Sequence, residues 1–177
     1  MPRDACILGV DQAIVLRTIQ RLSAMPNSGR VIRGKRWIWN TSGQWHDGFF
    51  PFWSEVTIRR LMRKLEKAGY IASCQPDGVM SRKKYYRVKS PKEMVEESRR
   101  NSGLKYKDWY HKVYLKSKHW KISKMLVLSH YGSVCQSCKK TGPVDVHHLN
   151  YRNIFDVRLD ELKPLCRECH KAAHGIK

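Results

Sequence analysis

Two cysteine pairs constrain this chain more than any other feature: Cys135-Gln-Ser-Cys138 and Cys166-Arg-Glu-Cys169, with 27 residues between them. Two thiolates separated by two residues on a tight turn can both reach one ion. Two such knuckles complete a tetrahedral S4 site at Zn–S distances of about 2.3 Å. Two disulfides would need an oxidising compartment, which nothing in the sequence indicates, and a CxxC redox motif would lack its usual βαβ context. A structural Zn²⁺ is therefore the expectation. Such a site is coordinatively closed and does no chemistry of its own. Cys6 and Cys74 lie far from the pairs and read as ordinary thiols in the core or on the surface.

The 177 residues carry 35 Lys and Arg against 15 Asp and Glu, a formal charge of +20. Four thiolates and Zn²⁺ together add about −2, which leaves the effective charge near +18. Residues 1–90 hold 17 basic and 6 acidic side chains, and residues 91–177 hold 18 and 9. Both halves are basic, so this is no neutral domain with a basic tail. A polyanion is the natural partner, nucleic acid ahead of an anionic membrane surface. No apolar run approaches the roughly 18 residues of a membrane span. MPRDACILGVDQ has acids before any apolar stretch, unlike a signal peptide, so a cytoplasmic setting is expected.

Residues 90–103, SPKEMVEESRRNSG, read as a linker, charged and poor in large apolar residues, with a short solvated helix in part of it. Compact domains are expected at 1–89 and 104–177. In the first, Ile14, Val15, Ile19 and Leu22 give Asp11 to Met25 helical spacing. RVIRGKRWIWN is a strand or hairpin by its β-branched and aromatic content. Thr41 caps a short helix running toward His46 and ending at Asp47-Gly48. Ser54 then sits at an N-cap position. Beyond it, Ile58, Leu61, Met62 and Leu65 mark one helical face, with Gly69 as the C′ residue. Arg59, Arg60, Arg63, Lys64 and Lys67 form the opposite face. YIASC and KYYRVK flank a turn at Pro76-Asp77-Gly78, and Arg82, Lys83 and Lys84 make that hairpin basic.

This order, helix, strand, helix, basic helix, hairpin, is that of a winged helix-turn-helix. The patterns W-I-W-N-T, F-W-S-E-x-T-I-R-R, L-x-K-x-G-Y-I and K-Y-Y-R-V resemble the N-terminal DNA-binding domains of phage replication-initiator-like proteins over about residues 8–89. Double-stranded DNA is the expected partner. The basic helix would enter the major groove, where Arg reads guanine and Lys contacts phosphate. The basic hairpin would lie against the backbone or minor groove.

In the second domain, Asp145-Val146-His147-His148 reads as a strand, and His170 and His174 lie four residues apart on one helical face. Adjacent strand residues point to opposite sides, so His147 and His148 should take different roles, one a ligand and one a free base. His119 and His130 read as incidental. Ile122, Met125 and Leu126 read as the core stripe of the preceding helix, and Trp109, Tyr110, Tyr114 and Trp120 as packing aromatics.

V-H-H-L-N-Y and E-L-K-P-L-C-R-E-C-H, preceded by Y-L-K-S-K-H-W and C-Q-S-C, resemble an HNH endonuclease of the zinc-bearing, two-CxxC type over about residues 112–174. The resemblance implies a ββα-metal fold, and the chain as a whole an α+β class. It places His147 and His170 as ligands of a catalytic ion and His148 as general base; His174, on the same helical face as His170, is a candidate further ligand. The motif's central Asn falls nine residues before His170, at Glu161, a departure from the pattern. In the family that Asn braces the loop, and an acidic side chain can do the same. Products would carry 5′-phosphate and 3′-hydroxyl ends.

The chemistry follows independently of the resemblance. An unperturbed His can deprotonate water near neutral pH, and a divalent ion (Mg²⁺, Mn²⁺ or Ni²⁺) can act as Lewis acid and template at the phosphate. Imidazole ligands suit Ni²⁺, Zn²⁺ or Co²⁺ better than hard Mg²⁺. The expected function is thus a DNA endonuclease directed by the winged helix, a construction shared by phage-encoded free-standing or homing-type endonucleases. One active site per chain nicks one strand, and a homodimer or two visits would cut both. The competing reading is a non-catalytic replication or transcription factor with a zinc-ribbon domain.

Overall fold

A computed structural model describes residues 3–78, 80–81, 83–152 and 154–175. The chain forms two compact units, Met1–Ser90 and Pro91–Lys177. Among the described residues there are eight α-helices, a four-stranded antiparallel sheet and a separate two-stranded antiparallel pair. No described helix is long and apolar enough to cross a membrane.

The first unit runs α1 (Arg3–Leu8), α2 (Val10–Ala24), β1 (Arg30–Ile32), β2 (Lys35–Trp39), α3 (Ser42–Phe49), α4 (Glu55–Lys67), β3 (Ile71–Cys74) and β4 (Tyr85–Val88). Its sheet has the order β1-β2-β4-β3. RVIRGKRWIWN resolves into a hairpin. Arg33 and Gly34 both have positive φ, as a two-residue type I′ turn requires, and Ile32 pairs with Lys35 across it. Thr41 and Gln44 form a reciprocal capping box at α3. The Ser54 hydroxyl accepts from the Thr57 N–H at the start of α4. At the end of α4, Gly69 N–H donates to Glu66 O and Tyr70 N–H to Leu65 O, the double bond of a Schellman stop.

Ile58, Leu61, Met62 and Leu65 of α4 are buried, as their spacing predicts, against Val15, Ile19 and neighbours from α2. Two expectations need correction here. Ile14 is 38 % exposed, and the inward stripe of α2 is Val15, Leu16, Ile19 and Leu22. The α3 helix does not stop at Asp47-Gly48 but runs through to Phe49. Burial of Trp45, and of Phe50 stacked against it at 6.0 Å, outweighs the weak helix propensity of that dipeptide.

The second unit begins with α5 (Pro91–Ser102), so most of the stretch expected as a linker is helical. Val95 packs against the second core, and Trp109 Nε1–H donates to the Ser98 hydroxyl at 3.0 Å. Then come α6 (Tyr106–Lys112), a 3-10 turn (Tyr114–Lys116), α7 (Lys118–Tyr131), β5 (Asp145–His148), a 3-10 turn (Leu159–Glu161), β6 (Leu162–Leu165) and α8 (Arg167–Ala173). Pairing of β5 with β6 sets His147 opposite Lys163 and His148 opposite Leu162.

The core stripe of α7 differs from the expected one. Met125 is 57 % exposed and Ile122 and Leu126 only half-buried, whereas His119, Trp120, Ser123 and Val127 face inward. The Ser123 hydroxyl is satisfied by donating to His119 O at 2.8 Å, and the His119 ring packs edge-on against Phe155. His119 is therefore a core residue rather than incidental.

Candidate functional site

Four sulfurs converge as their spacing predicts. The Sγ atoms of Cys135, Cys138, Cys166 and Cys169 all lie within 4.8 Å of one another. Cys138 Sγ and Cys166 Sγ are 3.7 Å apart, which matches the edge of about 3.8 Å for a tetrahedron with Zn–S bonds of 2.3 Å. The first knuckle turns through Lys139, whose φ is 62°, with Lys139 N–H donating to Cys135 O at 2.9 Å. Gln136 N–H donates to Pro164 O at 2.8 Å and ties this knuckle to β6. Burial raises the Cys135 thiol pKa, but N–H donors of Cys166, Cys138 and Ser137 overcome it and bring it down to about 6. At Cys166 the N–H of Cys169 favours the thiolate, yet burial and the crowding sulfurs push it up to about 12. A dication at the centre removes that conflict, and the donor set fits structural Zn²⁺. Cys6 and Cys74 are half-buried and belong to the first unit.

Cys166 is also the N-cap of α8, and His170 N–H donates to its carbonyl at 2.8 Å. The sulfur cluster therefore anchors the helix that carries His170 and ends at His174. One ligand nitrogen from each of His147, His170 and His174 lies within 4.8 Å of the others. The ring centroids are 4.7 to 5.1 Å apart and every pair of planes is nearly perpendicular. Burial, then His174 and His170, lowers the pKa of His147, and burial with His174 lowers that of His170. Both rings are thus held neutral with lone pairs available. His147 Nδ1 is buried with no hydrogen-bond partner among the described residues. A buried imidazole nitrogen without a partner, on a ring grouped with two further imidazoles, fits a metal cation as the missing partner.

His148 turns away from the triad, as strand alternation requires, but into an aromatic cage rather than into open solvent. It is 2 % exposed. Its ring stacks on Trp120 at 4.5 Å and 22° and on Tyr151 at 5.4 Å and 30°. Tyr114 donates its single hydroxyl proton to Ile154 O at 2.8 Å, so its 3.2 Å contact with His148 runs from Nε2–H to the Tyr114 oxygen. Neutral His148 then keeps its lone pair on Nδ1, 3.1 Å from the Tyr110 hydroxyl. His148, the triad, Tyr110 and Tyr151 all line one open cleft of about 560 Å³.

Glu161 braces the loop between β5 and β6. Its carboxylate accepts from Arg158 N–H at 2.7 Å and from Asn150 Nδ2 at 2.6 Å, and its carbonyl accepts from Leu149 N–H at 2.8 Å. The Arg158 N–H, followed by Asn150, holds its pKa below the usual carboxylate range. Sequence reasoning missed Asn150 and Tyr151 as site residues. Both directly follow the His-His-Leu run, and only the loop fold shows that they turn back onto Glu161 and His148.

In the first unit, Arg60, Arg63, Lys64 and Lys67 are exposed on one side of α4. Arg59 is exposed too, but contacts Glu55 at 3.5 Å and the Ser42 hydroxyl at 3.2 Å. Lys84 pairs with Glu66 at 3.1 Å, and Lys83 lies 4.5 Å above the Trp39 ring. Arg82 lies outside the described residues. The β3–β4 loop is fastened at Asp77, which accepts from Arg30 and from the Tyr85 hydroxyl, each at 3.0 Å.

No known protein family, curated protein or solved structure matches this chain. What the structure establishes is an α+β chain with a four-cysteine cluster and a histidine triad arranged as metal sites.

Proposed function

We propose that this protein is a metal-dependent DNA endonuclease, with a winged helix-turn-helix unit that selects the DNA and a ββα-metal unit of HNH type that cuts it. The observation that carries this reading is the histidine triad. Three imidazole nitrogens within 4.8 Å of one another share a cleft with a fourth histidine on the adjacent strand position. The zinc cluster sets the helix that supplies two of the three.

His147, His170 and His174 would hold the catalytic ion, which when bound supplies Lewis-acid stabilisation at the phosphate and the leaving oxygen. His148 accepts the proton of the attacking water at Nδ1, the nitrogen its hydrogen bonds leave basic. Tyr110 is the group that the water displaces from Nδ1. Glu161 keeps the β5–β6 loop in shape. On α4, Arg60, Arg63, Lys64 and Lys67 contact the duplex, joined by Arg59 once it leaves Glu55 and by Lys83 beside the groove. Lys84, held by Glu66, contributes charge at longer range.

One observation favours the non-catalytic alternative, a DNA-binding factor with a zinc-ribbon domain: His148 is enclosed and both its ring nitrogens are bonded. Supercoiled plasmid incubated with the full chain and a divalent metal separates the two. Nicking that disappears in His148→Ala while DNA binding persists supports the endonuclease. Equal behaviour of wild type and His148→Ala, with DNA still bound, supports the binding factor.

A further inference from the structure

Two of the rings around His148 run nearly parallel to it. Trp120 and Tyr151 both lie nearly parallel to the imidazole, at 4.5 Å and 5.4 Å. Trp120 is buried. Tyr151 is 39 % exposed, and Tyr110 meets it edge-on at 70°. Tyr106, 43 % exposed, lies nearly parallel to Tyr110 on the same cleft wall. The two tyrosines are thus exposed aromatic surface in the cleft that holds the histidine triad, and Lys107 and Lys124 also line it.

An aromatic face beside cations, next to a candidate phosphate-binding metal site, matches a single chemical unit: a planar base joined to an anionic phosphate. A base within an intact duplex has both faces covered by its neighbours and cannot stack on Tyr151. Only a base already unpaired, or turned out of the helix, presents a free face. We infer that the cleft accepts one unpaired nucleotide, its base stacked on Tyr151 beside Tyr106 and its phosphate directed to the histidine triad. The substrate class of the second unit is then DNA with an unpaired stretch, such as a bubble, flap or single strand, in preference to continuous duplex. This inference rests on the endonuclease reading for what happens to the phosphate, but the stacking itself is measurable without cleavage.

The test uses the full zinc-loaded chain without added catalytic metal and two duplexes of one sequence. One is fully paired and the other carries a short internal bubble with 2-aminopurine at its centre. Because both present the same duplex arms, contacts by the first unit cancel in the comparison. The expected result is tighter binding of the bubble, with the 2-aminopurine fluorescence quenched on binding. Tyr151→Ala should lower affinity for the bubble by roughly 5- to 160-fold, the range for loss of one base–aromatic stack, with little change for the paired duplex. Tyr151→Phe, which keeps the ring, should retain both affinity and quenching. Equal affinity for the two DNAs, or an unquenched probe, overturns the inference. So does a Tyr151→Ala protein with unchanged zinc content that binds the bubble like wild type. Plasmid nicking without bubble preference would remove this inference alone, whereas bubble preference without any nicking would remove the endonuclease reading and leave a nucleotide-binding cleft.

Discussion

Replacing Cys166 with Ser should dismantle the histidine triad, although no histidine is touched. The α8 helix has seven residues and none of them is buried. Isolated helices shorter than about 12 residues are not stable in water, and with no buried residue α8 gains little from apolar packing. Its fixed points are Cys166 at the N-cap and Cys169 one turn on, both in the sulfur cluster. Structural zinc contributes an apparent ~10–16 kcal/mol in zinc-finger peptides, as large as the whole stability of a typical domain at about 5–15 kcal/mol. Cys166→Ser, or a strong chelator, should therefore release residues 166–175 and separate His170 and His174 from His147. Hydrogen exchange of the full chain, read by mass spectrometry, gives the assay. Peptides from α8 and from the Cys135 knuckle should lose protection, while peptides from α4 in the first unit should keep theirs. The reasoning is refuted if α8 peptides remain protected in the metal-free protein, or if the wild type as purified contains no zinc.

Three further outcomes are expected. Glu161→Gln should destabilise the second unit by about 1–3 kcal/mol, since a charged acceptor of two hydrogen bonds becomes neutral. Because the folded pKa of Glu161 is depressed, the wild-type advantage is complete above the unfolded carboxylate value of about 4.3 and disappears as pH falls through the lower folded value. Urea melts of both proteins at pH 7 and below pH 4 measure the difference, and thiol protonation acts on both alike. Leu65→Ala in the first core, where the side chain is fully buried, should cost about 2–5 kcal/mol in a denaturant melt. Arg63→Ala should weaken DNA binding and reduce the steepness of its salt dependence by about one counterion. An unchanged log–log salt slope would place Arg63 off the DNA.

Much of the architecture was legible because local chemistry set it. Thr41 and Ser54 cap the helices they precede, Gly69 ends α4, and the two CxxC pairs converge. Strand alternation correctly separated His147 from His148. What escaped was tertiary in origin. Periodicity placed the buried face of α7 on Ile122, Met125 and Leu126, because a buried His119 and Ser123 are affordable only through bonds and ring contacts invisible in the sequence. The Asp47-Gly48 stop was overridden by the packing of Trp45 and Phe50. The enclosure of His148 depends on Tyr110 and Tyr114, 38 and 34 positions away, and no local pattern encodes such a contact.

The central claim, that the histidine triad is a metal site that cuts DNA, is tested most directly by following bound metal and nicking in one titration. Zinc-loaded protein should take up one further equivalent of Mn²⁺ or Ni²⁺, with nicking of supercoiled plasmid rising in parallel. Mg²⁺ should bind weakly until DNA is present. In His147→Ala the second equivalent and the nicking should vanish together, while the thiolate-bound zinc remains. Nicking by His147→Ala at the wild-type rate, or by wild type in the absence of any second metal, would contradict the account.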